Sequence, residues 1–183
     1  MKNISIFGKG NMATALQNVF SKAGNPVQLI GRNETTTLGD IVIFALPYAS
    51  VADVASQYQA ELKGKIVVDI TNPVDFGTMD GLVVGAETSA AEEIAKLLPD
   101  SDIIKAFNTN FATPLGEGKA QVFIAGDNDT AKQILIDALN GSGVTTTDAG
   151  TLKRARELEA LGLLLITLAV REQIGWGDVL EIR

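Results

Sequence analysis

The sequence predicts an α/β fold with a mostly parallel sheet. Apolar, β-branched runs of about four to six residues alternate with longer segments at helical spacing, the pattern of strand–helix–strand units around a parallel sheet. No internal repeat and no linker rich in Pro, Gly or Ser divides the 183 residues. We therefore expect a single domain over residues 1–183.

Periodicity and turn signals place the elements in order. The predicted strands are residues 3–7, 27–30, 41–45, 66–70, 103–107, 122–125 and 144–147. The predicted helices are residues 12–23, 51–62, 89–98 and 130–139, followed by a long last helix over 151–174. The chain between Arg32 and Ile41 is too short for the crossover helix and outer strand of a typical sheet of this type. We therefore expect a sheet that is abbreviated after its second strand.

Composition excludes several kinds of chemistry and partner. Cys and His are absent, so no thiol nucleophile, disulfide, imidazole base or Cys/His zinc site can form, and we assign no metal ligand. The 15 Lys and Arg against 22 Asp and Glu give a net charge of −7, the wrong sign for a nucleic-acid partner. We see no secretory signal and no stretch long enough to span a membrane, so we expect a cytoplasmic protein without a membrane partner.

A glycine-rich turn joins the first predicted strand to the first helix. Gly8-Lys9-Gly10-Asn11-Met12-Ala13 reads G-x-G-x-x-A. The first glycine of this motif permits a tight turn, the second lets a pyrophosphate approach the backbone, and the alanine lets helix and strand pack closely. The helix N-terminus then faces the anion. The motif predicts a Rossmann-like dinucleotide-binding domain, with a plain tight turn as the alternative.

The residues after the second strand discriminate between NAD and NADP. NAD-binding domains place an acidic residue there to bind the adenosine ribose, whereas this chain has Gly31, Arg32 and Asn33. A guanidinium can pair with a 2′-phosphate, and Lys9 adds positive charge nearby. We therefore expect NADP(H) as the cofactor, with a merely solvated Arg32 as the alternative.

On these motifs the sequence resembles the NADP-dependent oxidoreductases of the deazaflavin coenzyme F420 family. It resembles more distantly the pyrroline-5-carboxylate reductases, which share the G-x-G-N-M opening. The segments that carry the resemblance are Gly8 to Ala13, Gly31-Arg32, Ala45-Leu46-Pro47, Lys105-Ala106-Phe107-Asn108-Thr109, Asp148-Ala149-Gly150 and the helix from Arg154 to Leu168.

The resemblance implies direct hydride transfer between the nicotinamide and a deazaflavin ring that are bound face to face. The residues that it implies for the nicotinamide side are Leu46 and Pro47, with Ala45 before them, and those for the ring-stacking cleft are Ala106, Phe107 and Asn108. An ordinary strand end is the alternative for Leu46-Pro47, and a simple turn is the alternative for Asn108.

Further candidates follow the predicted strands at the carboxyl edge. Asn72, before Pro73, could hydrogen-bond the nicotinamide ribose or carboxamide, although Asn-Pro is equally a turn signal. Tyr48 is the candidate proton donor if the acceptor is a carbonyl or an imine. The functions left open are hydride transfer to a flavin-like or deazaflavin acceptor, an imine or carbonyl reductase that uses Tyr48, and a non-catalytic NADP(H)-binding redox sensor or regulatory subunit.

The apolar end of the last helix points to a second subunit. Spacing of three and four residues places Leu161, Leu164, Leu165 and Leu168 on one stripe, and other apolar side chains cover much of the rest. One domain cannot easily cover both faces, so we expect a homodimer. Complete burial within the monomer is the alternative.

Overall fold

A computed structural model describes residues 1–32, 34 and 36–182. The strands are β1 (Ile4–Phe7), β2 (Val27–Ile30), β3 (Ile41–Phe44), β4 (Ile66–Asp69), β5 (Asp102–Lys105), β6 (Gln121–Gly126) and β7 (Thr145–Gly150). The helices are α1 (Asn11–Lys22), α2 (Val51–Gln57), α3 (Gln59–Leu62), α4 (Ala90–Leu97), α5 (Ala112–Gly116), α6 (Asp129–Leu139) and α7 (Ala155–Val170). Short 3-10 helices lie at Tyr48–Ser50 and Leu152–Arg154.

The strands form a seven-stranded sheet in the order β2-β1-β3-β4-β5-β6-β7. The strands from β2 to β5 are mutually parallel, β6 runs antiparallel to β5, and β7 is parallel to β6. The predicted α/β class with a mostly parallel sheet is confirmed. Because the strand order reverses between β1 and β3, the carboxyl ends of these two strands mark the crevice where such sheets bind ligands.

The sheet ends at β2, as expected for a chain abbreviated at this point. The return towards β3 follows the sheet closely: the Gln28 amide donates to the Thr37 carbonyl at 2.7 Å, and the Gly39 N–H donates to Ser5 Oγ at 2.8 Å. The Asp40 N–H then donates to the Asn3 carbonyl at 2.8 Å. Within the described residues, no strand lies beyond β2.

Apolar clusters cover both faces of the sheet. One contains Ile6 of β1 and Leu16 of α1, and the other contains Val42 of β3 and Ile94 of α4. Because both faces are covered, every residue of β1, β3 and β4 is buried, which explains why these strands are mostly apolar and do not alternate apolar with polar residues. No helix in the described part of the chain is long and apolar enough to cross a bilayer. The cytoplasmic location stays a prediction.

The sequence predicts one helix over residues 51–62, but the structure divides it at Tyr58. This residue has φ −110° and ψ 19°, outside helical geometry. Its ring packs against Phe7 with the centroids 4.8 Å apart, and its hydroxyl donates to the Glu34 carbonyl at 2.7 Å. Tyr58 therefore contacts residues that are distant in the sequence at the point where the helix is interrupted. The single-turn helix α5 likewise lies in a stretch that the sequence predicts to be irregular.

The last helix is shorter than the predicted 151–174. It is preceded by a 3-10 turn and ends at Val170. The chain leaves the helix through Glu172 in a left-handed conformation (φ 56°), while the Gln173 N–H donates to the Leu168 carbonyl at 2.9 Å. This is a Schellman ending, which glycine usually provides. Since Glu occupies the left-handed position, the sequence carries no stop signal there.

Candidate functional site

The glycine loop lies between β1 and α1, at the reversal of the strand order. Gly8 has φ 127°, and a Cβ on it would collide with the Ala45 carbonyl oxygen at the end of β3. A Cβ on Gly10 would meet nothing within 4 Å, so the backbone there is open to a ligand. Helix α1 begins without a side-chain cap, and its N-terminal amides can bind an anion. These features fit a dinucleotide pyrophosphate and define a Rossmann-type dinucleotide-binding domain.

Past the end of β2, a carboxylate that the sequence analysis did not consider joins the predicted phosphate residues. Glu34 accepts a hydrogen bond from the Gly31 N–H at 2.8 Å and pairs with the Lys9 ammonium. The Gly31 bond, followed by the Lys9 bond, lowers the pKa of Glu34, so this side chain is a carboxylate. Arg32, the residue after Gly31, is exposed, and Asn33 lies outside the described residues.

The residues predicted for the nicotinamide side follow β3. The Ala45 N–H donates to the Phe7 carbonyl at 2.9 Å, which extends the pairing of β3 with β1. Leu46 packs against the apolar cluster that contains Val42, whereas Pro47 is exposed and precedes the 3-10 helix at Tyr48–Ser50. The structure thus places Pro47 at the open carboxyl edge of the sheet, whereas Leu46 is half-buried against the core.

Tyr48 is half-buried near several carboxylates. Burial raises the pKa of its hydroxyl, and the negative charges of Glu93, Glu159 and Asp69 raise it further. A phenol that loses its proton less readily than usual is a poor general acid at neutral pH.

An amide pair joins the segments that follow β4 and β5. Asn108 Nδ2 donates to Asn72 Oδ1 at 2.9 Å, and Asn72 Nδ2 donates to the Asn108 carbonyl at 2.8 Å. Asn108 Nδ2 also donates to the Leu158 carbonyl of α7 at 2.8 Å. Helix α7 comes this close because Gly162 has no side chain: a Cβ there would collide with the Asn72 amide oxygen. The structure therefore brings together two predicted site residues and adds α7 to the site.

These amides face a cavity of about 250 Å³. Phe111 and Trp176 form part of its wall, with their rings edge to face and the centroids 5.0 Å apart. The other lining residues are Met12, Ile70, Asn72, Phe107, Asn108, Thr109, Asn110, Ala112, Gly162, Leu165 and Ile166. Met12, at the start of α1, connects the cavity with the glycine loop.

Other predicted residues of these segments lie away from the cavity. Ala106 is fully buried in the apolar cluster around Leu16, so the core holds its side chain. Pro73 is also buried, and its carbonyl accepts a hydrogen bond from the Val83 N–H at 2.7 Å. The neighbours Phe107 and Asn72 reach the cavity wall because each strand continues into a turn at this edge.

A buried ion cluster lies under this edge of the sheet. The Lys105 ammonium contacts Asp69 at 2.7 Å, Glu159 at 2.8 Å and the Thr71 carbonyl, and the three charged side chains are fully buried. Glu159 also accepts the backbone N–H of Ala90 at 2.8 Å, at the start of α4. Burial raises the pKa of Glu159, and Lys105 opposes this shift. Lys105 lies in the motif that carries the family resemblance, but the sequence predicts no role for it.

Comparison with known proteins identifies the family. The sequence pattern of the family described as "NADP oxidoreductase coenzyme F420-dependent" matches residues 27–73. The chain is 30% identical over 169 residues to the F420-dependent NADP reductase of Methanocaldococcus jannaschii, covering 87% of this chain and 76% of that protein. It is also 30% identical over 188 residues to metalloreductase STEAP3 of Rattus norvegicus, covering 89% of this chain and 37% of that protein. The chain belongs to the family of F420-dependent NADP oxidoreductases.

Solved structures agree on the fold. A protein of Arthrobacter sp. FB24, assigned as an F420-dependent NADP reductase, is 22% identical and matches 100% of both chains with a TM-score of 0.83. The pyrroline carboxylate reductase of Plasmodium falciparum, crystallised with NADP bound, is 15% identical and matches 93% of this chain and 67% of that one with a TM-score of 0.60. By its family the protein is an NADP-dependent oxidoreductase with NADP(H) as its cofactor, which confirms the predicted class of enzyme and cofactor.

Removing the ammonium from the ion cluster should destabilise the fold. In Lys105→Met, Asp69 and Glu159 remain buried without their cation, and we expect a loss of about 3–5 kcal/mol in the free energy of unfolding. Because burial raises the pKa of Glu159 above its unfolded value, the stability of the variant should fall as pH rises above the ordinary pKa of a glutamate carboxyl. Urea unfolding measures both effects. Lys119→Met, at an exposed ion pair, is the control, and an equal, small change in both variants would contradict the expectation.

A methyl group at position 162 should push α7 and the Asn72–Asn108 pair apart. In Gly162→Ala the added Cβ overlaps Asn72 Oδ1, so the helix or the amide must move. We expect a loss of about 1–3 kcal/mol in unfolding free energy, measured by chemical denaturation. Gly177→Ala, where a Cβ meets nothing within 4 Å, should leave stability nearly unchanged. Wild-type stability in Gly162→Ala would show that the contact is easily relieved.

Proposed function

We propose that the protein transfers hydride directly between the nicotinamide of NADP(H) and a flavin-like or deazaflavin ring that binds in the cavity beside Met12. The observation that carries the proposal is the wall of this cavity. Phe111 and Trp176 offer aromatic surface to a planar ring, and Asn72 and Asn108 offer amides on another side. Aromatic walls with a few placed polar groups are typical of sites for planar ligands.

The side-chain amide of Asn110 favours an acceptor ring that carries N–H groups. This residue lines the cavity and is 9% exposed, and its Nδ2 donates to the Gln121 carbonyl at 2.8 Å. Its buried amide oxygen has no hydrogen-bond partner among the described residues. Buried acceptors without a donor are rare in folded proteins. The pyrimidine part of a flavin-like ring carries an N–H that could satisfy this oxygen.

The cofactor residues have separate tasks in this proposal. Gly8, Gly10 and the N-terminus of α1 hold the pyrophosphate, whereas Lys9, Gly31 and Arg32 hold the 2′-phosphate. NADPH, when bound, supplies the hydride. Asn72, held by Asn108, orients the nicotinamide end, and Pro47 and Phe107 limit the access of water. The protein thus contributes binding, orientation and water exclusion, and the transfer needs no acidic side chain.

The raised pKa of Tyr48 weighs against the alternative of an imine or carbonyl reductase. Reduction of a carbonyl or a neutral imine is accelerated by a proton donor whose pKa lies near the working pH. A ring acceptor instead spreads the incoming charge over its conjugated system. A non-catalytic redox sensor remains the second alternative, and its distinguishing feature would be tight NADPH binding without turnover.

NADPH oxidation with a panel of deazaflavin, flavin, ferric-chelate and imine acceptors tests the proposal. We expect turnover with a ring acceptor, and with NADPH deuterated at the nicotinamide C4 we expect the label on C5 of the deazaflavin. Tyr48→Phe should retain the rate within about twofold, whereas an imine or carbonyl reductase should lose about 100-fold or more.

Trp176 is the only tryptophan of the chain and provides a binding signal from the cavity wall. Its fluorescence should be quenched by a deazaflavin acceptor. Phe111→Ala should raise the KM for the acceptor about tenfold and leave the affinity for NADPH unchanged, with Phe76→Ala, on an exposed loop, as the control. Reduction of the imine alone, or NADPH binding without any turnover, would contradict ring-to-ring transfer.

We also propose that the protein is a homodimer through α7. Leu164 and Val170 are 52% and 53% exposed, and the rest of the apolar stripe is only partly covered by the chain itself. Exposed apolar stripes of this kind are typical of subunit contacts. The exposed side chains therefore support the interpretation of the stripe as an interface.

Light scattering at micromolar protein should give about twice the chain mass of 19.3 kDa. Leu164→Lys places a charge on the stripe and should convert the dimer to a monomer. Val83→Lys, at a loop residue of similar exposure, should not. A monomeric wild-type protein would refute the dimer and leave the proposal for the cavity intact.

A further inference from the structure

We infer that Glu34 competes with the 2′-phosphate of NADP(H) for Lys9 and Gly31, and thereby sets how tightly the phosphorylated cofactor is held relative to NAD(H). The carboxylate binds both donors in the structure and must give them up when the 2′-phosphate binds. This inference rests on the proposed binding of the 2′-phosphate at Lys9 and Gly31 and is independent of the acceptor.

The two donors, the Lys9 ammonium and the Gly31 N–H, lie where the 2′-phosphate is expected. Lys9 belongs to the glycine loop and Gly31 follows β2, so the pair lies where a Rossmann domain receives the adenosine ribose. An ammonium and a backbone N–H are the donors that a phosphate monoester uses in proteins. Here both of them bind the Glu34 carboxylate. An anionic side chain of the protein thus holds the groups that suit an anionic ligand.

The Glu34 carboxylate can move away from Lys9 and Gly31 without a change in the fold. Lys9 and Glu34 are about half exposed, at 52% and 50% of their side chains. The Glu34 backbone is anchored independently, because its carbonyl accepts the Tyr58 hydroxyl at 2.7 Å and its N–H donates to the Gly31 carbonyl at 3.3 Å. The side chain can therefore change rotamer while the backbone stays in place.

Gly31 makes the arrangement possible. A Cβ on it would lie 3.0 Å from both a Glu34 carboxylate oxygen and the Lys9 Cε, closer than ordinary contacts. The bare backbone lets both side chains pack beside this glycine, with the Glu34 carboxylate on its N–H. The same open surface would admit a phosphate once the carboxylate has moved.

Competition by Glu34 weakens the binding of the phosphorylated cofactor but not that of NAD(H). If the Glu34 carboxylate moves away when the cofactor binds, the ion pair between Glu34 and Lys9 is lost. If the carboxylate stays in place, it repels the 2′-phosphate. Exposed ion pairs contribute a factor of about five or less to an equilibrium, and repulsion from a doubly charged phosphate adds to this. NADH carries a ribose hydroxyl at this point, so neither penalty applies to it.

Calorimetry with Glu34→Gln tests the inference, using NADPH, NADH, 2′,5′-ADP and 5′-AMP as ligands. We expect NADPH and 2′,5′-ADP to bind about three- to tenfold more tightly than to the wild type. NADH and 5′-AMP should bind within about twofold of the wild type. Glu117→Gln removes the same charge from an exposed glutamate that also pairs with a lysine, Lys119, at 2.8 Å, and should change none of the four affinities.

Other results would overturn the inference. Equal NADPH affinities in Glu34→Gln, Glu117→Gln and the wild type would show that the carboxylate does not compete. Weaker NADH binding by Glu34→Gln, without a gain for NADPH, would make Glu34 a ligand of the ribose hydroxyl. Tighter binding of 5′-AMP as well as 2′,5′-ADP would point to a general charge effect.

Discussion

The site is organised around a lysine ammonium that has no access to solvent. Lys105 reaches oxygens of Asp69, Thr71 and Glu159, which belong to β4, to the segment after it and to α7. A buried charge tolerates little displacement of its partners, because a carboxylate left without its cation in the core is costly. The ends of β4 and β5 and the first turns of α7 are therefore held in one arrangement. The contact between the Asn72–Asn108 pair and Gly162 depends on that arrangement.

In the same arrangement, neighbouring residues of one motif divide between structural positions in the core and positions at the cavity. The motif from Lys105 to Asn108 contains a buried ion-pair residue, a core alanine, a cavity-wall phenylalanine and an amide of the site within four consecutive positions. Phe107 adopts a left-handed conformation with φ 63°, which non-glycine residues rarely do. This turn of the backbone directs Asn108 towards Asn72. A short motif can thus hold the sheet together on one side and line the cavity on the other.

Binding and orientation dominate what this chain can contribute to a reaction. It has no His and no Cys, and its half-buried Tyr48 holds its proton more firmly than usual. The glycine loop and the cavity are connected through Met12. A protein with these resources suits a reaction in which cofactor and acceptor carry the chemistry themselves. Past the abbreviated edge at β2, Lys9, Gly31 and Glu34 form one polar cluster.

The sequence by itself determined the α/β class, the order of the strands along the chain, the glycine loop and the preference for a phosphorylated cofactor. These features were predicted from local periodicity, from glycine geometry and from the residues Gly31 and Arg32 after β2, all of which can be seen within short windows. Only the tertiary structure decided the partners of Lys105, the approach of Gly162 to Asn72, the break at Tyr58 and the carboxylate of Glu34 on Gly31. Each of these is a contact between side chains or segments whose meeting no local pattern specifies, because burial and packing across the whole domain bring them together.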